Sequence, residues 1–380
     1  MLCSIYNFHS IRPRHEISQE VILEWIAQMH AHAEASVQGS FSQELHKDVK
    51  ERLFRVGSGV NKIQNRGIHI NDLYAETFEE MELFPIMQSP SGKGFKTRSD
   101  FFEREMDPIF DAFYSEHIPL PSHLIHVTCT GYVAPSPAQK LVSRRDAGQT
   151  TTVTHAYHMG CYGAFPAIRM GAGFLHLPSS CKQSVDIVHT EVGSIHMHPL
   201  KHSTEQLMVQ SLFADGFIKY SLSDKTEAPH FKVVALHEEI IPNSFSCMTW
   251  RCEDNGLVMS LSKEVPVLIA RALRPYLERL YGKVSGRKTR KTYFAVHPGG
   301  PKILDSVQKI LNLEPDQMKH SHEILRRCGN MSSATLPHIW QQLLEDPTVE
   351  NGSDVVCLAF GPGLSISSAL LEKEGARCST

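Results

Sequence analysis

One alternation runs along most of the chain and limits what it can fold into. Short apolar, β-branched runs alternate with stretches of helical period in both halves. Residues 124–130, 185–191, 217–222, 232–236, 293–296 and 355–359 have the length and side chains of buried strands. Between them lie helical patterns at 264–282, after Pro301, and at 334–344, with another ending near Leu212. Near the start, Val21, Ile22, Trp25, Ile26 and Met29 repeat at three and four behind a possible cap at Ser18, so 15–35 reads as an amphipathic helix. Helical character returns at 42–55 and 100–116, and the Ser-, Gly- and Lys-rich stretch 86–99 reads as loop. Strands alternating with helices in both halves give an α/β fold of two similar units. The polar stretch 222–231 with Pro229 sets the expected boundary between residues 1–225 and 226–380.

A chain of 380 residues can build a sizeable core, and its formal charge of −3 offers no field for nucleic acid or an anionic membrane. The short basic run Arg287-Lys288-Thr289-Arg290-Lys291 reads as a solvated loop. Nine cysteines without CxxC spacing fit a reducing compartment better than a disulfide framework. No apolar run approaches the roughly 20 residues that span a bilayer, and the expected location is cytoplasmic.

Three polar residues stand where the chain needs special backbone. Cys161 follows a glycine and opens a helical stretch, where unpaired N–H groups favour an anion. His297 ends an apolar strand and enters Pro298-Gly299-Gly300-Pro301, and Asn330 lies in a turn before the last helix. A cysteine becomes a nucleophile when a helix start or an imidazolium lowers its pKa. Catalytic groups concentrate on loops held by rigid elements.

Gly160-Cys161-Tyr162, the run from His297 to Asp305, and Gly329-Asn330-Met331-Ser332-Ser333-Ala334 resemble the three signatures of the chalcone and stilbene synthases, the type III polyketide synthases. Leu212-Phe213-Ala214-Asp215-Gly216, Glu264-Val265-Pro266 and Phe360-Gly361-Pro362-Gly363-Leu364 resemble further motifs of that family, all in family order. The first hundred or so residues resemble it only loosely. The resemblance implies a thiolase-like layered αβαβα fold made of two similar halves, the first carrying the cysteine and the second the histidine and asparagine. It also implies a homodimer that takes malonyl-coenzyme A and an acyl-coenzyme A starter as substrates, with no bound cofactor and no metal. Cys161 would carry the starter, His297 would keep Cys161 as thiolate, and His297 with Asn330 would hold the malonyl carbonyl during decarboxylation. The products would be of pyrone, resorcinol or phloroglucinol type. A ketoacyl synthase of fatty acid synthesis and a catalytically silent protein on the same fold are the alternatives.

Motif matching also marks substrate-contacting positions. Phe213 stands at the neck of the coenzyme tunnel, and Met259 replaces a second gatekeeper phenylalanine. Gly193 and His196 replace two threonines of plant members, and Cys129 and Thr130 replace a hydroxyl pair. Gly256 and Ser332 complete the cavity set, and Arg52 and Arg55 are loose counterparts of basic residues near the tunnel entrance. These departures point away from plant members toward bacterial or fungal ones, and toward an aliphatic starter in a deeper, more apolar cavity. Twenty-two histidines raise a metal site. Surface or core histidines are nonetheless the simpler reading of His196 and His198 and of His155 and His158. Gly361-Pro362-Gly363 lacks the Lys-Ser/Thr of a phosphate loop and reads as a structural turn.

Overall fold

The computed structural model describes residues 3–178, 183–284, 286–287 and 290–375. In chain order these form β1 (Ser4–Ile11), β2 (His15–Ser18), α1 (Gln19–Gln38), α2 (Gln43–Val56), β3 (Asn65–Ile68), α3 (Phe95–Phe113), β4 (His123–Thr128), α4 (Pro137–Arg144), β5 (Thr152–Tyr157), α5 (Ala164–Phe174), β6 (Val185–Val192), α6 (Thr204–Leu212) and β7 (Asp215–Ser223). The second half adds β8 (His230–Ile240), β9 (Met248–Glu253), β10 (Gly256–Leu261), α7 (Val265–Gly282), β11 (Thr292–Val296), α8 (Pro301–Leu311), α9 (Pro315–Cys328), α10 (Thr335–Glu345), β12 (Asp354–Gly361) and β13 (Ser365–Glu374).

Nine strands hydrogen-bond in the order β11-β12-β13-β8-β1-β7-β6-β4-β5. The chain builds two wings with the same grammar. β4 runs parallel to β6, which is antiparallel to β7, which is antiparallel to β1. β11 runs parallel to β12, which is antiparallel to β13, which is antiparallel to β8. The wings meet where β1 pairs with β8 through Ser4 opposite Lys232 and Ile5 opposite Phe231.

Period-two alternation sorts the strand side chains into layers. Tyr293 and Ala295 of β11 and Val355 and Cys357 of β12 join Ile125, Val127, Ile187 and Tyr220 of the first wing in one inner core around α5 and α10. Phe294, Val296, Val356 and Leu358 face the other way, against α7, α8 and α9. Leu124, Val188 and Phe217 pack outward against α1, α3 and α4. Helix, sheet, helix, sheet, helix is the layered α/β arrangement expected, with α5 and α10 as its sealed middle.

Ser18 caps α1 through Val21 N, at the residue its pattern marks. The stretch 86–99 is only partly loop. α3 already begins at Phe95, because Arg98 turns inward and donates to the carbonyls of Ile195 (2.6 Å) and Met197 (2.8 Å). The basic run is not simply solvated. Arg287 pairs with Asp354 at 2.7 Å and Glu372 at 2.8 Å, and Arg290 also pairs with Glu372, pinning the start of β12 to β13. Lys288 and Thr289 lie outside the described residues. No described helix is long and apolar enough to cross a membrane.

Candidate active site

The two inner helices deliver the site. Cys161 sits in the 3-10 turn Gly160–Tyr162 that leads into α5, and Asn330 in the turn between α9 and α10. His297 follows β11 directly. The motif glycines are where side chains from other motifs rest. A Cβ on Gly160, whose φ is +73°, would lie 2.7 Å from Pro362 Cδ. One on Gly361 would lie 2.2 Å from the Tyr162 ring, and one on Gly216 would lie 2.5 Å from Met331 Sδ. Asn330 also locks the halves together: its N–H donates to Leu212 O (3.1 Å) and its carbonyl accepts from Ala214 N (2.8 Å).

Cys161 is buried. Hydrogen bonds from Ser332, Asn330 and its own N–H reach the sulfur and favour the thiolate. The Asn330 amide is oriented, because its Oδ1 accepts from Ser332 N at 2.9 Å and so leaves the NH2 as the donor toward the sulfur. Desolvation dominates nonetheless, and with the charge of Glu191 it pushes the thiol up to about 12. His297 is buried too, and burial drives its imidazolium down to about 3. Neither of its ring nitrogens has a hydrogen-bond partner among the described residues. Burial alone thus favours a thiol at Cys161 and a neutral imidazole at His297.

The sign of this arrangement is testable. A thiol with a raised pKa is almost wholly protonated at pH 7, and its thiolate fraction grows about tenfold per pH unit below that pKa. Iodoacetamide labelling of Cys161, followed by peptide mass, should climb steeply from pH 7 to 9, with the exposed Cys252 labelled first. A flat, fast profile for Cys161 would show that the ion pair already exists at rest.

Cys161 opens onto a cavity whose wall includes Cys129, Thr130, Gly193, Phe213, Met259 and Ser332. Phe213 stacks on Trp250 with centroids 6.5 Å apart. His196 also lines the cavity but is not a free polar wall group. Its Nε2 bonds Thr130 O at 2.8 Å and its Nδ1 accepts from Leu257 N at 3.1 Å. It stands in the 3-10 turn Gly193–His196, not on a strand, and His198 is bound separately to Leu257 O at 2.9 Å. His155 and His158 likewise have separate partners, Ser136 Oγ (2.8 Å) and Trp250 O (2.9 Å). Gly193 does not simply deepen the cavity: a Cβ there would lie 3.3 Å from Ala214 O and 3.4 Å from Phe213 Cβ, so the glycine lets Phe213 approach.

Other positions fall away from the cavity wall. Gly256 is a hairpin residue with φ +121°, and a Cβ there would meet Arg98 Nη1 at 3.0 Å. Arg52 is committed to His202 O (2.5 Å) and Asp48 (3.3 Å), and Arg55 is exposed on the last turn of α2. The wall is instead completed by β9–β10, a two-stranded hairpin outside the main sheet that pairs Trp250 with Met259. Trp250 Nε1 donates to Cys129 O at 2.7 Å, and Gln206 holds Met259 O at 2.6 Å.

Two residues placed at the site escaped the sequence reading. Trp250 carried one signal, since tryptophan occurs only three times in the chain. Glu191 carried a better one, an acid at the end of a buried strand. Its carboxylate accepts from Cys129 N (3.0 Å), Thr130 Oγ1 (2.9 Å) and Ser333 Oγ, tying β4, β6 and the turn before α10 behind the nucleophile.

The family model described as "Chalcone and stilbene synthases, C-terminal domain" matches residues 232–373. A curated relative, "Probable polyketide synthase 1" of Dictyostelium discoideum, is 26% identical over 259 residues, which are 66% of this chain. This chain spans only 8% of that protein's length. Among solved structures, the C-terminal type III polyketide synthase domain of "Steely1", a type I/III hybrid from Dictyostelium, superposes with a TM-score of 0.81 at 20% identity, covering 98% of this chain and 99% of that one. The 1,3,6,8-tetrahydroxynaphthalene synthase of Streptomyces coelicolor A3(2) gives 0.79 at 21% identity, covering 98% and 100%. The fold is thus the layered α/β fold of these solved structures. Over residues 232–373 the chain is thus similar to the C-terminal domain of the chalcone and stilbene synthases.

Proposed function

We propose that this chain is a type III polyketide synthase that condenses malonyl-coenzyme A onto a starter acyl group held on Cys161. The observation that carries this reading is Cys161 at the head of α5, with the oriented Asn330 amide against its sulfur and an apolar cavity in front. The neutral imidazole of His297 is the base that takes the Cys161 proton when the starter thioester arrives; catalytic hydrogen bonds commonly tighten only with substrate bound. The sulfur attacks the acyl carbon, coenzyme A leaves, and the proton follows it. Malonyl-coenzyme A then loses carbon dioxide, and its enolate oxygen is held by the donors of Asn330 and His297. The enolate carbon attacks the Cys161 thioester, releasing the Cys161 sulfur and a chain longer by two carbons. Coenzyme A thioesters enter as substrates and no bound cofactor is needed. The working form is a homodimer in the cytoplasm, and the released chain closes to a pyrone, resorcinol or phloroglucinol.

The test is purified protein with malonyl-coenzyme A, acyl-coenzyme A starters and no carrier protein, with products read by mass. Products that form only when malonyl is carried on an acyl carrier protein would assign the chain to fatty acid initiation instead.

The cavity supports an aliphatic starter. Ile22, Trp25, Ile68 and Val209 line it together with Met259. Each buried methylene contributes about 0.8 kcal/mol, so four are worth roughly 200-fold in preference. Fatty acyl-coenzyme A starters should outcompete coumaroyl-coenzyme A in kcat/KM. Val209→Trp should shorten the longest accepted chain while sparing acetyl starters. A preference for coumaroyl over every aliphatic starter would refute this.

A further inference from the structure

Behind Glu191 runs a line of buried side chains that the proposed chemistry does not use. The Ser333 hydroxyl has one hydrogen, and it goes to Glu191 Oε1. The Thr130 hydroxyl already accepts from Val192 N (2.9 Å) and gives its hydrogen to Glu191 Oε2, so the carboxylate is surrounded by donors and acts as the ionised acceptor. His189 Nδ1 lies 3.0 Å from Ser333 Oγ, and its Nε2 lies 3.2 Å from Tyr220 OH. With the Ser333 hydrogen committed, Nδ1 has to be the donor, so Nε2 is the lone pair that accepts from the tyrosine. His189 is fully buried and stacks on Tyr220 with centroids 5.6 Å apart.

We infer that Tyr220, His189, Ser333 and Glu191 form a one-way hydrogen-bond chain that makes His189 a positioning residue for the nucleophile. The argument rests on the function proposed above and adds a residue to it. Ser333 adjoins Ser332, whose N–H is held by Asn330 Oδ1. Both Ser332 and Asn330 reach the Cys161 sulfur. Fixing the Ser333 hydroxyl therefore fixes the turn that aims the Asn330 donors. Other titratable groups beside the chain are His338 near His189, Cys3 near Tyr220, and Cys129 and Cys161 near Glu191. Burial keeps His189 neutral, which the one-way order requires.

Two measurements on the full chain test this. In protein carrying 13C,15N-histidine, the His189 ring, assigned by its loss in His189→Asn, should be the neutral Nδ1–H tautomer. An Nε2–H tautomer overturns the chain's direction and the proposal with it. In malonyl-coenzyme A decarboxylation, His189→Leu should lower kcat about tenfold, the worth of one buried hydrogen bond, with KM unchanged. His189→Asn, which keeps a donor toward Ser333, should retain kcat within about threefold. Ser333→Ala should cost the same as His189→Leu, and the double variant no more than either. Additive losses, or wild-type kcat in His189→Leu, overturn the proposal. If His189→Leu does not fold, the tautomer and the Ser333→Ala comparison with His189→Asn decide it. Wild-type protein that leaves malonyl-coenzyme A intact would refute the parent reaction, and the tautomer still reads this chain independently.

Discussion

Cys161→Ala yields no acyl-enzyme and no polyketide: incubation with an acyl-coenzyme A starter leaves the intact mass of the variant unchanged, where the parent gains one acyl group. Product formation falls by on the order of 10^4-fold or more, because no other group forms the covalent intermediate. The fold survives. The Cβ is kept, the site is an irregular turn, and only the sulfur's contacts with Ser332 and Asn330 are lost. Decarboxylation of malonyl-coenzyme A persists above the level of loss in product, since Asn330 and His297 remain. Polyketide at more than a trace from this variant would remove Cys161 from the nucleophile's role.

Asn330→Asp should suppress carbon dioxide release from malonyl-coenzyme A by about 100- to 1000-fold, the usual cost of one oxyanion donor. This substitution is sharper than alanine. It keeps the Oδ1 acceptor for Ser332 N and so preserves the turn, but it replaces the two amide hydrogens with a negative charge facing the developing enolate. Thermal melting should therefore change little while decarboxylation collapses. Asn330→Ala should lose both activity and some stability, because Ser332 N and Thr335 Oγ1 also lose their acceptor. Unchanged carbon dioxide release in the aspartate variant would reject the oxyanion assignment.

The inner layer was legible in the sequence because burial on both faces writes itself as uninterrupted β-branched runs. β4, β6, β11 and β12 fall within two residues of their expected bounds. Strands that carry polar residues were not legible. β1 mixes Asn7, His9 and Ser10 with its apolar positions, and β9 carries Arg251 and Glu253. Their place is set by partners far along the chain, not by a local pattern. The helix α9, which follows α8 after only a short turn, was also missed, since its charged face masks a narrow apolar stripe at Met318, Ile324 and Leu325. At the site, motifs singled out Cys161, His297 and Asn330, but residue type could not say how side chains spend their hydrogen bonds. His196 is consumed by two backbone groups, Gly193 makes room for Phe213, and Glu191 draws together three elements. Each of these is decided by contacts between residues distant in the chain.

The seam between the wings has a kinetic consequence. Ser4 of β1 is opposite Ser223 on one side and Lys232 on the other. The strand that joins the two wings thus pairs with partners more than 200 residues away on both sides. Loop closure over such separations is slow, and it precedes the contacts that reward it. Until that strand inserts, β7 and β8 each expose a bare hydrogen-bonding edge, the kind that pairs with other chains. Folding of this chain should therefore show a late, rate-limiting phase in which amides of Ile5 and Leu222 become protected together, and aggregation during refolding should compete with that phase alone.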